Sequence, residues 1–131
     1  MYKTKRIHYR SIFKSEDQNE TVEYKSKGIV HIDKDTHIQF KSKGNLIHIT
    51  FNKDKVILRN NDSILELSKD KEVWNQYQLA YGSVALKTKL LLFEESEDKV
   101  KIKYELYDET ALISTVYILM TLMPCDIQED L

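Results

Sequence analysis

In this 131-residue chain the residues best suited to chemistry gather in two places. The first is His31, Asp33, Asp35 and His37, which bracket the turn sequence Asp-Lys-Asp. If Val30, Ile32, Ile38 and Phe40 share one strand face, period-two alternation sends both histidines to the other face, opposite or diagonal to each other. A surface zinc could use such a set. It would need three or four convergent ligands, however, and neither a cysteine nor a His-x-x-x-His spacing assists. The group therefore reads as a solvated polar face, and no metal is predicted. His8 and His48 read as ordinary strand residues. The single cysteine, Cys125, sits in a tail with nothing to fix a Cys–His nucleophile pair. Glu94, Glu95, Glu97 and Asp98 crowd one turn, where water solvates carboxylates. No glycine-rich phosphate loop occurs. Neither an enzyme nor a cofactor is expected.

The second place is a set of hydroxyls. Val84, Leu86, Thr88, Leu90 and Leu92 form one face of a strand by alternation, with Lys87 and Lys89 on the other. If "EESEDK" closes a hairpin that sets Leu92 opposite Val100, Thr88 falls opposite Tyr104. If "DET" pairs Leu106 with Leu112, Tyr104 also faces Ser114. Three hydroxyls would then make a row across three strands on an otherwise apolar face, and a slip of two residues would undo it. The row reads either as a mutually bonded structural network or as a polar strip that orients a ligand in an apolar pocket. Upstream, Tyr77 and Tyr81 share a face of the entering strand, as core or rim aromatics or as the mouth of a cavity. Gly82 then supplies a backbone conformation that a residue with a Cβ resists. The predicted ligand site is Thr88, Tyr104 and Ser114, with Tyr81 at its rim.

Strands must position these groups. Turn signals recur at short intervals ("SEDQN", "DKDT", "SKGN", "NKDK", "RNND", "SKDK"), separated by β-branched, aromatic and aliphatic runs, the pattern of an antiparallel sandwich or barrel. In "DKVKIKYELYD", Val100, Ile102, Tyr104 and Leu106 alternate with Lys99, Lys101, Lys103 and Glu105, one face buried and one wet. "KEVWNQYQLAY" places Val73, Trp74 and Tyr77 at helical spacing, but its aromatic content and flanking turns favour a strand. "ALISTVYILMTLM" is apolar on both faces, as an interior strand or a subunit contact would be. With no strongly helical segment to cover a sheet, the sheet must cover itself. The prediction is an all-β domain, a single closed or nearly closed antiparallel barrel of about 8–10 strands over residues 1–124, with an acidic tail over 125–131.

Composition narrows the setting. The chain is 41% hydrophobic and 31% charged, with a net charge of −1, so whole-surface attraction to nucleic acid or anionic lipid is not expected. One cysteine makes no intrachain disulfide and fits a reducing compartment. The basic start lacks the apolar stretch of a signal peptide, and Ala111 to Pro124 is too short to span a bilayer. A cytoplasmic location with no membrane association is expected.

The segments "YGSVALKTK" and "KIKYELYD", followed by the apolar strand carrying Ser114, resemble the YwiB-like family of small β-barrel proteins from Gram-positive bacteria. "ETVEYKSKGIVHIDKDTHIQF" is similar to that family's second and third strands, including a glycine matched by Gly28. The resemblance runs from about Ile7 to Thr121 and implies a calycin-like barrel, related in shape to lipocalins. It implies no catalytic set. Two places depart from it: Leu79 and Ala80 stand where many members have Thr-Pro, and Asp62 stands where a glycine would follow Arg59.

The expected function is non-enzymatic binding of a small, partly apolar molecule in the barrel interior. The alternative is an interaction module that contacts protein or RNA through the basic first strand or an exposed apolar strand. Nucleic acid is the weaker partner, because Arg6, His8 and Arg10 share one face while Tyr9 and Phe13 share the other, as in a half-buried strand. A homodimer stays open.

Overall fold

The computed structural model describes residues 2–125 and contains ten strands. They are β1 (Tyr2–Lys14), β2 (Asn19–Ile32), β3 (Thr36–Ser42), β4 (Asn45–Phe51), β5 (Lys55–Asn60), β6 (Ser63–Ser68), β7 (Glu72–Leu79), β8 (Gly82–Glu95), β9 (Lys99–Tyr107) and β10 (Leu112–Pro124). Of the acidic tail expected over 125–131, Cys125 alone is described, and Asp126, Glu129 and Asp130 lie outside the described residues. All ladders are antiparallel, in the order β6-β5-β4-β3-β2-β1-β10-β9-β8-β7. Apart from β1–β10, which joins the two ends of the meander, every ladder is a hairpin between sequence neighbours. The result is a nearly closed all-β barrel, as the strand patterning predicts. No helix among the described residues is long and apolar enough to cross a membrane.

Alternation decides which side chains fill it. Ile38, Phe40, Ile47, Ile49, Phe51, Val56, Leu65 and Leu67 from one half meet Val100, Ile102, Val116, Ile118 and Met120 from the other, all buried in one core. "KEVWNQYQLAY" supplies strand β7, so the helical spacing of Val73, Trp74 and Tyr77 is incidental. The first strand is no edge. It pairs with β2 from Tyr2 to Lys14 and with β10 from Lys5 to Lys14, which satisfies its backbone on both sides.

The chain makes a close approach at Gly28, paired with Phe40 of β3. A Cβ there would run into Ile7 Cδ1, sit 2.6 Å from the Gln39 carbonyl oxygen and 2.9 Å from Phe40 Cβ. Only glycine lets β2 pass this close to Ile7 and to the backbone of β3.

One seam lacks a backbone ladder. Between β6 and β7 there is a single bridge, Ser68 with Lys71. Side chains finish the closure. Asn75 stands in for a missing strand: its Oδ1 accepts from Glu66 N at 2.8 Å, and its Nδ2 donates to Glu66 O at 3.3 Å. Thr88 Oγ1 donates to the same Glu66 carbonyl at 2.6 Å, and Ser63 Oγ donates to Gln78 O at 2.7 Å. An exposed strand edge invites pairing with other chains. Here it is occupied from within.

Candidate functional site

The three-hydroxyl row does not form. Thr88 lies opposite Leu106, and Ser114 also lies opposite Leu106, while Tyr104 stands between Leu90 and Val116. Both hairpins are displaced from the expected register. The β8–β9 turn is shorter than supposed, so that Glu95 rather than Leu92 faces Val100. Leu112 pairs with Tyr107 rather than Leu106. Two bulges add to this: the ladder of β8 skips Leu91, and that of β10 skips Ile113. The first bulge reverses the facing of the strand beyond it. Leu92 is exposed, and Phe93 packs against the core, its ring 5.2 Å from that of Phe51.

The three hydroxyls still share the barrel's inner face, all buried. Two of them are engaged by backbone: Thr88 by the seam, and Ser114, whose Oγ donates to Lys14 O at 3.2 Å. Tyr81 is not on the strand. It is the second residue of the Ala80–Tyr81 turn, 89% exposed, and lines no part of the interior. Gly82 comes next with φ +142°, the region where a side chain is strained, so the expectation for that glycine holds.

Tyr104 belongs to a different constellation. A cavity of about 190 Å³ opens inside the barrel, and its hydroxyl-bearing lining residues are Tyr9, Ser11, Ser63, Tyr77 and Tyr104. The rest is largely aliphatic, including Leu86, Leu106 and Ile118. Each polar member is placed by alternation. Ser11 lies two residues from Tyr9 and two from Phe13 on β1, and Tyr77 lies two from Asn75 on β7. Ser11 Oγ is fully buried and makes no well-formed hydrogen bond, the one such side-chain atom among the described residues. Its nearest polar neighbour is the Tyr9 hydroxyl, and a buried hydroxyl left under-satisfied carries a desolvation penalty of up to about 1–3 kcal/mol.

The phenols feel this environment. Burial desolvates the Tyr9 hydroxyl and pushes its pKa up to about 12, with the Ser11 hydroxyl pulling the other way and Tyr24 and Tyr77 adding smaller rises. Burial raises Tyr104 further still, helped by Tyr9 and Tyr77. The Tyr9 and Tyr104 phenols are therefore neutral hydrogen-bonding groups at physiological pH. Arg59 borders the cavity, but its strand position pairs with His48 on the outer face. His48 registers that charge: its pKa is lowered, first by burial and then by Arg59. The inward-facing lining is uncharged.

Sequence reasoning missed Ser11 and Asn75. Each left a signal, a small polar residue in phase with apolar inner positions: Ile7, Tyr9 and Phe13 around Ser11, Val73 and Tyr77 around Asn75.

On the outside, His31 and His37 are direct cross-strand partners, as alternation predicts, with ring centroids 5.6 Å apart. Asp33 Oδ1 lies 3.5 Å from His37 Nε2, and ligand atoms of His31, Asp33 and His37 all fall within 4.8 Å of one another. The outer face of β10 leaves Leu119 and Met123 exposed, and Leu119 borders one groove with exposed Leu92 of β8.

The sequence pattern of the family described as "Domain of unknown function (DUF1934)" matches residues 7–120. The chain belongs to this family. No curated protein matches the sequence. The fold is similar to the crystal structure of the ywiB protein from Bacillus subtilis, with a TM-score of 0.69 and 12% sequence identity over 92% of this chain and 92% of that one. At that identity the likeness is one of fold. The YwiB-like resemblance read from the strands therefore stands, and it brings no assigned activity.

Proposed function

We propose that the barrel binds a small, neutral, partly apolar molecule in its interior, without catalysis, in the cytoplasm. The observation that carries this reading is the cavity of about 190 Å³ in which Ser11 Oγ makes no well-formed hydrogen bond and three tyrosines converge. An apolar cavity of roughly 150 Å³ accepts a benzene-sized guest, so this one suits a single-ring molecule bearing one or two polar groups. A deeply buried charge is disfavoured, because Arg59, the one charged residue of the lining, stands at the border and not on the inner face. Of the residues proposed from sequence, Tyr104 remains in the site. Thr88 and Ser114 support the wall instead, and Tyr81 is on an outer turn.

Phenol is a suitable probe. In an NMR titration it should shift the resonances of Tyr9, Tyr77 and Tyr104, and a Leu86→Phe variant, which fills the cavity, should abolish the shifts. Native mass spectrometry of protein purified from its own host should show a retained mass that Leu86→Phe lacks. Failure of phenol to perturb these tyrosines, together with a bare protein mass, would overturn the reading.

A second reading draws on the outer surface, where exposed Leu92 and Leu119 border one groove with Ile12 and Tyr117. Lys103 Nζ lies 4.9 Å from the centre of the Tyr117 ring. That surface would serve a protein contact, including a homodimer. Sedimentation at rising concentration tests it, and a Leu119→Lys substitution should keep any dimer apart.

A further inference from the structure

The outer face near the β2–β3 turn meets the requirement that the sequence alone leaves open, three ligands that converge. His31 and His37 come from paired positions on β2 and β3, and the turn between them carries Asp33 back towards both rings. The turn is braced. Asp33 Oδ1 accepts from Asp35 N at 2.8 Å, and Asp35 Oδ1 accepts from Asn52 Nδ2 of the neighbouring turn at 3.1 Å. The carboxylate is thus held in place before any ion arrives.

His37 supplies the independent observation. Metal-bound histidine usually commits one ring nitrogen to the ion while a neighbour fixes the other. Here Nδ1 of His37 lies 3.2 Å from Thr50 Oγ1 and 3.4 Å from His48 Nε2, while Nε2 points to Asp33. The ring is already oriented with the ligating nitrogen towards the carboxylate. Tyr2 stacks on His31 at 4.3 Å and 12°, which restrains the second imidazole.

We propose that His31, Asp33 and His37 bind a divalent transition-metal ion of the zinc type. Two imidazoles and one carboxylate favour zinc, cobalt, nickel or copper over magnesium or calcium, which prefer oxygen ligands throughout. At zinc–ligand distances of about 2.0–2.2 Å, tetrahedral neighbours stand roughly 3.3–3.6 Å apart. The Asp33–His37 pair at 3.5 Å is already in that range. All the ligand atoms lie within 4.8 Å of one another, a gap that small adjustments of the His31 ring and the exposed Asp33 carboxylate close. Three protein ligands leave water in the remaining position. The site is separate from the interior cavity and does not depend on the proposal for it.

The test is calorimetric titration of the untagged, chelator-treated full chain with zinc chloride. One zinc per chain should bind, and millimolar magnesium should not compete. His31→Ala and His37→Ala should each weaken binding at least about tenfold, and Thr50→Val, which removes a partner of the bound ring, about tenfold. His8→Ala and Cys125→Ser should leave it unchanged. Circular dichroism establishes that each variant keeps its strands, and ring-nitrogen NMR shifts on zinc addition should report His31 and His37. Absence of zinc binding, or binding indifferent to both the His31 and His37 substitutions, would overturn the proposal.

Discussion

Replacing Asn75 by alanine removes the side chain that stands in for a backbone neighbour at the β6–β7 seam. Two bonds to Glu66 go at once, at 2.8 and 3.3 Å. The losses are unequal. The Glu66 carbonyl keeps its 2.6 Å bond from Thr88 Oγ1, whereas the Glu66 N–H loses the acceptor that occupied it. A half-buried donor left without a partner costs about 1–3 kcal/mol, and a domain of this size holds only about 5–15 kcal/mol in all. Urea denaturation should therefore show a loss of about 2 kcal/mol with an unchanged m-value. Asn75→Asp separates the components, because it retains the acceptor for Glu66 N but sets a carboxylate oxygen against the Glu66 carbonyl. Thr88→Val acts on that same carbonyl, so a double-mutant cycle of Asn75→Ala with Thr88→Val should show a coupling of about 0.5 kcal/mol or more. Hydrogen exchange reads the seam directly, with the Glu66 amide speeding up while amides of the β1–β10 ladder keep their protection. If Asn75→Ala leaves both the Glu66 exchange rate and the urea midpoint where they were, the seam is not closed by this side chain.

Other perturbations act elsewhere in the barrel. Gly28→Val should destabilise by roughly 1–3 kcal/mol by urea denaturation, since the Gln39 carbonyl oxygen at 2.6 Å from the new Cβ is backbone and cannot step aside. At high pH, Tyr9, whose folded value is about 12 against 10.0 for the free phenol, favours the neutral, folded form. Its contribution is complete below the unfolded value and is lost as pH rises towards the folded one, at about 1.4 kcal/mol per pH unit. Absorbance at alkaline pH should accordingly show late-titrating phenols, and Tyr9→Phe should flatten the stability loss. At low pH the sign reverses for Asp108, whose carboxyl is held below its usual range by the amides of Thr110 and Ala111 and the Thr110 hydroxyl. That stabilisation is present above the unfolded value and disappears as pH falls through the folded one, so Asp108→Ala should show a shallower acid limb by circular dichroism.

The residues made the barrel readable and the register opaque. In β9, lysines alternate with Val100, Ile102 and Tyr104, and this fixes the facing of every residue without reference to any partner. Facing is a property of one strand; pairing belongs to two strands and the turn between them. The turn after Glu95 is tighter than its run of acids suggests, and Leu91 is extruded although its neighbours are chemically indistinguishable from it. Four consecutive apolar residues, Leu90 to Phe93, carry no mark of which one is surplus. The hydroxyl row failed there, while the inner placement of its members survived. The histidine pair succeeded for the opposite reason: the short turn between β2 and β3 leaves His31 and His37 little freedom of register. The cavity was out of reach because it is defined by the space that most of the strands together leave unfilled, and no single segment encodes a void.

The joining of β1 to β10 has a consequence for how the chain comes together. Every other ladder links segments that emerge one after another and can zip from a turn, each at small entropic cost. The β1–β10 ladder, from Lys5–Pro124 to Lys14–Thr115, has nothing to pair with until the final strand exists. During synthesis, one flank of β1 must wait bare with its amides and carbonyls unmet, the condition in which chains stick to their neighbours. Lys3, Lys5, Arg6, Arg10 and Lys14 along that strand would make two nascent copies repel one another during the wait.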